Sequence, residues 1–163
     1  YDDMMAAGKG AIELFHGYTY SGHPVAAAVA LETQKIYQER KIVSYVQTIS
    51  PKFQGRLRAL QEHPLGGEAR GVGLIGALEL VANKATKERF DPSLGVGAKV
   101  FEETKRNGLL FRNAGDQLLF CPPLIITKAE IDELIEALRG ALDDGYAEAA
   151  RRGLVGGEVK QAV

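Results

Sequence analysis

The sequence predicts an α+β domain in which helices cover one face of a small antiparallel sheet. Three observations carry this. Residues 25–39 and 41–61 hold small or apolar residues at helical spacing, whereas 71–81 switches to period two. Residues 109–112 and 118–121 are apolar runs flanking the turn-forming Asn113-Ala114-Gly115-Asp116, which reads as a hairpin. A capped, one-sided helix then closes the domain.

In chain order, residues 2–8 are a short helix candidate ended by Gly8-Lys9-Gly10. Residues 15–23 are aromatic, polar and glycine-rich, with neither period. Pro24 stands at a helix start, where its missing N–H is tolerated. Ala26, Ala27, Ala28, Ala30 and Leu31 favour the helix that follows, and so many small side chains predict close packing against another element. In 41–61, Val46, Ile49, Phe53, Leu57 and Leu60 recur every three or four residues; Pro51 is placed to kink this helix or begin a new segment. His63-Pro64-Leu65-Gly66-Gly67 reads as a loop. Val72, Leu74, Leu78 and Leu80 alternate with Gly73, Ile75, Ala77 and Glu79, predicting one strand over 71–81. Residues 96–107 read as a helix ended by Gly108. Thr127-Lys128-Ala129-Glu130 is a capping box. Ile131, Leu134, Ile135, Leu138 and Leu142 then line one face of a helix to about 151, and Gly153, Gly156 and Gly157 mark a loose tail.

The 163 residues match one domain in length. At 45% hydrophobic and 25% charged, the chain is too apolar for a disordered protein. Its net charge of −1 argues against a basic field that grips nucleic acid. One cysteine, Cys121, excludes a disulfide framework and a paired-cysteine zinc site; a reducing compartment is compatible with it. His16 and His23 have no metal partner at a familiar spacing. No run approaches the roughly 18 apolar residues of a membrane span, and the start reads as no signal peptide. Tyr1 is not Met, and Met4 and Met5 fall inside a helix pattern, so the chain is expected to be cut from a longer one.

Gly71-Val72-Gly73-Leu74-Ile75-Gly76 matches G-x-G-x-x-G, with Asp91 at the distance of a ribose-binding acid. Dinucleotide binding needs a strand before the glycines and a helix after them. Here a loop precedes and a strand follows, so the glycines read as a bulge or a close backbone approach. The loop 15–24 is different. Three aromatic residues, two histidines, Thr19 and Ser21 precede a helix start, which suits an anion site; equally, Thr19 and Ser21 could simply cap that helix.

Phe15-His16-Gly17-Tyr18-Thr19-Tyr20-Ser21-Gly22-His23-Pro24 resembles the H-G-x-T-[YF]-x-G-[HN]-P signature of class III pyridoxal-phosphate aminotransferases. Arg70-Gly71-Val72-Gly73-Leu74 is similar to that family's R-G-x-G-L strand. Leu110-Phe111-Arg112-Asn113-Ala114-Gly115-Asp116, with Pro122-Pro123-Leu124 and Ile131, is similar to its C-terminal pattern. The three come in the family's order and span the chain; within the family the chain looks most like the ω-amino-acid:pyruvate branch.

The resemblance implies a fold-type I enzyme, a homodimer with active sites at the subunit interface and pyridoxal 5'-phosphate as cofactor. It implies 1–23 as a remnant of the large domain with the phosphate loop, 24–66 as long interdomain and interface helices, and 67–163 as the C-terminal small α+β domain. Thr19, with Tyr18 and Gly17, would bind the cofactor phosphate from the neighbouring subunit, and Phe15 and His16 would border substrate, His16 also orienting the loop. His23 reads as a helix-start residue. Arg112 matches a mobile arginine that clamps a substrate carboxylate, a task suited to the guanidinium fork; on its residues alone it reads as a hairpin surface ion pair.

No lysine here stands in the context of the family's Schiff-base lysine; Lys9, in Gly8-Lys9-Gly10, leads straight into the phosphate loop. The chain therefore carries no catalytic residue of its own and is expected to be inactive alone. The implied parent transfers an amino group from an amine or ω-amino acid to a keto acid such as pyruvate, in the cytoplasm. The alternative is a free-standing, non-catalytic interaction or ligand-binding module derived from this domain. The residues encoded just before Tyr1 would discriminate the two.

Overall fold

The computed structural model describes residues 17–155, which divide between two compact units, Tyr1–Glu39 and Arg40–Val163. The helix anticipated over 2–8 and the glycines at 156 and 157 lie outside the described residues. In the first unit, helix α1 spans Pro24–Glu39. His23 starts it: its carbonyl accepts from the Ala27 N–H at 2.9 Å, and its Nδ1 faces the Ala26 N–H at 3.5 Å. None of the α1 residues is buried.

The second unit opens with α2, Ile42–Ala59, continued by a 3-10 turn at Leu60–Glu62. Ile49, Phe53, Leu57 and Leu60 form its buried stripe, as their spacing predicted. The helix runs on through Pro51. Proline removes the N–H that would reach the Gln47 carbonyl, and the Ser50 hydroxyl donates to that oxygen instead at 3.5 Å. Strands β1 (Gly66–Val72) and β2 (Ile75–Leu80) follow, then α3 (Val96–Arg106), β3 (Arg112–Ala114), β4 (Gln117–Phe120) and α4 (Lys128–Arg151). The sheet order is β1-β2-β4-β3, with every pairing antiparallel.

Two element assignments change. The single strand expected over 71–81 is a hairpin: Val72 pairs with Ile75 across Gly73-Leu74, and Gly73 has φ 59°. A positive φ at the first residue of a two-residue turn matches the twist of the flanking strands. The alternation ran through this turn because Leu74 is itself buried. Gly66 and Gly67, expected as loop, belong to β1 and hold an irregularity in its register. In the second hairpin, Asn113 and Ala114 are strand rather than tip, 109–111 lies outside the ladder, and Gly115-Asp116 makes the turn. Arg112 therefore opens a strand instead of ending one.

Helix ends follow local chemistry. Thr127 and Glu130 form the expected capping box, with Thr127 N–H donating to Glu130 at 2.7 Å and Glu130 N–H to Thr127 at 3.2 Å. Gly108, φ 78°, ends α3 as expected: Leu109 N–H reaches the Thr104 carbonyl and Gly108 N–H that of Lys105, a Schellman pattern. Leu78, Leu80, Leu118 and Phe120 point from the sheet into a core completed by Phe53 and Leu57 of α2 and Ile131, Ile135 and Leu138 of α4. Each fully buried side chain of this size contributes about 1.5–3 kcal/mol. Because α2 packs on β1 and on α4, the compact units divide at Glu39/Arg40, and α2 groups with the sheet.

Candidate active site

The residues singled out in the sequence fall in both units, and each region is described by itself. In the first, residues 19–22 form a turn in which Ser21 N–H donates to the Tyr18 carbonyl at 2.9 Å. Gly17, Tyr18, Thr19 and Tyr20 are exposed. The helix start is satisfied by His23, and the Thr19 hydroxyl makes no hydrogen bond among the described residues, so it is not a helix cap. A hydroxyl left over beside a helix start is a donor set that fits a phosphate group. Phe15 and His16 lie outside the described residues.

In the second unit, Arg112 pairs with Leu119, Leu119 with Ala77, and Ala77 with Arg70. Directly paired residues share a face, so Arg70, Ala77, Leu119 and Arg112 form one row across the sheet, opposite the helix-packed face. Arg70 is engaged by Glu79 at 3.4 Å and Gln117 at 3.5 Å. Arg112 is exposed, and its guanidinium makes no hydrogen bond or ion pair among the described residues. The hairpin ion pair suggested by its residues alone is not formed, because the one acid of that hairpin turns elsewhere: Asp116 Oδ1 accepts from the Gly97 N–H at 2.8 Å. Burial pushes the Asp116 carboxyl above its ordinary value, against the Gly97 hydrogen bond.

Arg112 and Arg70 border a cleft of about 770 Å³, with Ile75, Phe111, Leu119 and Cys121 among its walls. That volume suits a small-molecule site. Among the described residues no lysine lines it, and the acids that do are Glu130 and Glu133 of α4. The G-x-G-x-x-G run is accounted for by the fold. Gly73 makes the turn, a Cβ on Gly71 would meet the Ile75 carbonyl, and a Cβ on Gly76 would strike Leu57. Asp91 accepts from Ser93 N–H at 2.8 Å and its hydroxyl at 2.7 Å, capping a 3-10 turn.

Residues 3–142 match the family described as Aminotransferase class-III. The chain belongs to the class III aminotransferases. As a family member it is similar to a putrescine–pyruvate aminotransferase of Pseudomonas aeruginosa, 53% identical over 83% of this chain and 30% of that protein. It is also similar to the mitochondrial gamma aminobutyrate transaminase 1 of Solanum lycopersicum, 51% identical over 78% of this chain and 25% of that protein. Among solved structures, the PMP-bound aminotransferase from Vibrio fluvialis superposes with a TM-score of 0.76 at 39% identity, over 83% of this chain and 30% of that one. The chain thus spans about a third or less of the relatives it matches. These likenesses place the α+β fold within the aminotransferase architecture.

Sequence reasoning named Arg112 but missed what surrounds it. Arg70 stood in a quoted motif without a role, and only the strand register puts it in the Arg112 row. Asp116 was read as a turn residue, and its bond to Gly97 had no local signal. Among the described residues, no group of three or more His, Cys, Asp or Glu side chains is arranged to hold a metal ion, and no helix is long and apolar enough to cross a membrane.

Proposed function

We propose that this chain is the C-terminal portion of a pyridoxal 5'-phosphate-dependent transaminase that moves an amino group from an amine or ω-amino acid to a keto acid such as pyruvate. The observation that carries this reading is Arg112: an exposed guanidinium without an acidic partner among the described residues, at the rim of an apolar-walled cleft, in a class III aminotransferase chain. Its fork pairs both oxygens of a substrate carboxylate, and the apolar wall formed by Leu119 and Phe111 accepts the substrate's carbon chain. Thr19, with Gly17 and Tyr18, holds the cofactor phosphate through its hydroxyl, and Phe15 and His16 border the substrate. When bound, the cofactor supplies the electron sink for amino transfer.

In this reading the lysine that holds the cofactor belongs to the large domain of the parent, and this chain alone is inactive; that no lysine lines the cleft among the described residues agrees with it. The homodimer, with Thr19 serving the neighbouring subunit's cofactor, belongs to the same proposal, as does the assignment of 24–66 to interdomain and interface helices and of 67–163 to the small domain. A cytoplasmic location agrees with the exposed free thiol of Cys121 and with the bacterial relative.

The test is Arg112→Ala in the full-length enzyme, with each half-reaction followed in single turnovers. Loss of charge-assisted hydrogen bonds worth about 1.5–3 kcal/mol each should lower kcat/KM for pyruvate and β-alanine by roughly 10- to 150-fold. An amine without a carboxylate, such as 1-phenylethylamine, should be much less affected in its own half-reaction. Equal losses for donors with and without a carboxylate would make Arg112 structural.

A further inference from the structure

We propose that Asp116 is a positioning residue for Arg112, locking the hairpin so that the guanidinium moves on a fixed backbone. This rests on the reading of Arg112 as the carboxylate-binding residue and adds the device that aims it. Strand β3 has three residues and lies at the sheet edge, paired on one side only; so short an edge strand is not held by its ladder alone.

The lock is made by the turn that follows. Asp116 Oδ1 accepts from Gly97 N–H in the first turn of α3, a helix whose N-cap, Gly95, has no side chain to offer. Asp116 thus acts as the missing cap, brought in from the hairpin. Its backbone carbonyl accepts from the Leu80 N–H at the end of β2, at 2.9 Å. Position 97 admits no side chain, since a Cβ there would run into the Gly115 carbonyl, so the turn is seated on the helix backbone. Asn113 Nδ2 donates to that same carbonyl at 2.8 Å.

The other end of β3 is anchored as well. The Phe111 ring meets Phe101 edge-on at 5.2 Å and Phe120 at 4.9 Å between centroids. Arg112 therefore sits between two fixed points while its own head group makes no bond among the described residues. A hairpin free at its tip would let the guanidinium drift from the cleft, and misplacement by about 1 Å is enough to cost a large part of an oriented contact.

The experiment compares Asp116→Ala, Asp116→Asn, Arg112→Ala and the double variant Asp116→Ala/Arg112→Ala in the full-length enzyme. Single-turnover kcat and KM are measured with β-alanine and with 1-phenylethylamine, and the Kd of the non-reacting monocarboxylate propionate is read by saturation-transfer NMR. Asp116→Ala should raise KM for β-alanine and Kd for propionate by roughly 3- to 10-fold, with kcat and the carboxylate-free amine within about twofold. Asp116→Asn, which keeps an acceptor oxygen for Gly97, should recover most of the lost carboxylate affinity. In the Arg112→Ala background, Asp116→Ala should add nothing to the carboxylate loss. Should Asp116→Ala not fold, Phe101→Leu, which loosens the opposite anchor from the helix side without touching the cleft, must show the same selective loss. Equal effects on both donors, or full additivity in the double variant, would overturn the lock and leave the Arg112 reading standing. A non-selective Arg112→Ala would overturn that reading and the lock with it.

Discussion

Thr19 sits in an exposed turn with a hydroxyl that no described residue uses. If that hydroxyl binds the cofactor phosphate, Thr19→Ala in the full-length enzyme should weaken cofactor retention by roughly 10- to 150-fold, the equivalent of one hydrogen bond to a charged group. Titration of the apoenzyme with pyridoxal 5'-phosphate measures this directly, and an unchanged affinity would remove Thr19 from the site. The residue scale is also where motif and function part. Gly71, Gly73 and Gly76 match a nucleotide-binding pattern letter for letter, yet each answers a separate demand of one hairpin: a tight cross-strand approach, a positive φ, and the proximity of Leu57. Arg112 was legible as a candidate only through the family signature, whereas its lack of an acidic partner among the described residues was not legible at all.

At the scale of elements, the segment between α2 and β1 is tied to α4 by His63, a residue read in the sequence only as part of a loop. Its Nδ1 accepts from the Leu65 N–H at 3.1 Å, which fixes the tautomer and leaves Nε2–H to donate to Asp143 at 3.2 Å. Tyr146 of α4 stands edge-on to the ring, and the positive charges of Arg139 and Lys84 face it. Burial, the largest influence, lowers the His63 pKa below 6.5, assisted by those two cations and opposed by Asp143. The native state thus keeps the ring neutral at pH values where the unfolded chain binds a proton. Stability from this group is present in full above about pH 6.5 and is lost as the pH falls through the lower folded value. Urea midpoints of the chain, measured from pH 8 to pH 5, should decline below pH 6.5, and His63→Gln should flatten that decline. Parallel curves for the two proteins would show that His63 carries no linkage.

On the scale of the whole molecule, both units expose apolar side chains. Helix α1 presents Val25, Val29 and Leu31, and the second unit presents Val72, Ile75, Leu110 and Ile125. Surfaces of this kind mark interaction sites, and a net charge of −1 offers little repulsion between copies. The 163-residue chain should therefore bind a hydrophobic dye and sediment as a mixture of associated species. A monodisperse monomer without dye binding would mean that these side chains are too scattered to act as a surface.

Composition and period by themselves determined the α+β class, the long helices, the capped start of α4 and the glycine end of α3. The family signatures marked Thr19 and Arg112. These features depend on contacts within one helical turn or one run of adjacent residues: Thr127 and Glu130 are three apart, and Gly108 closes its own helix. Tertiary structure decided the rest. It folded the stretch 71–81 back on itself, because an alternating pattern does not mark where a strand reverses when the turn residue Leu74 is also buried. It set Arg70 and Arg112 in one row through a register spanning four strands. It also joined Asp116 to Gly97 across 19 residues and His63 to Asp143 across 80. Partners that far apart meet only when the helices and the sheet pack, so no local pattern in the chain announces them.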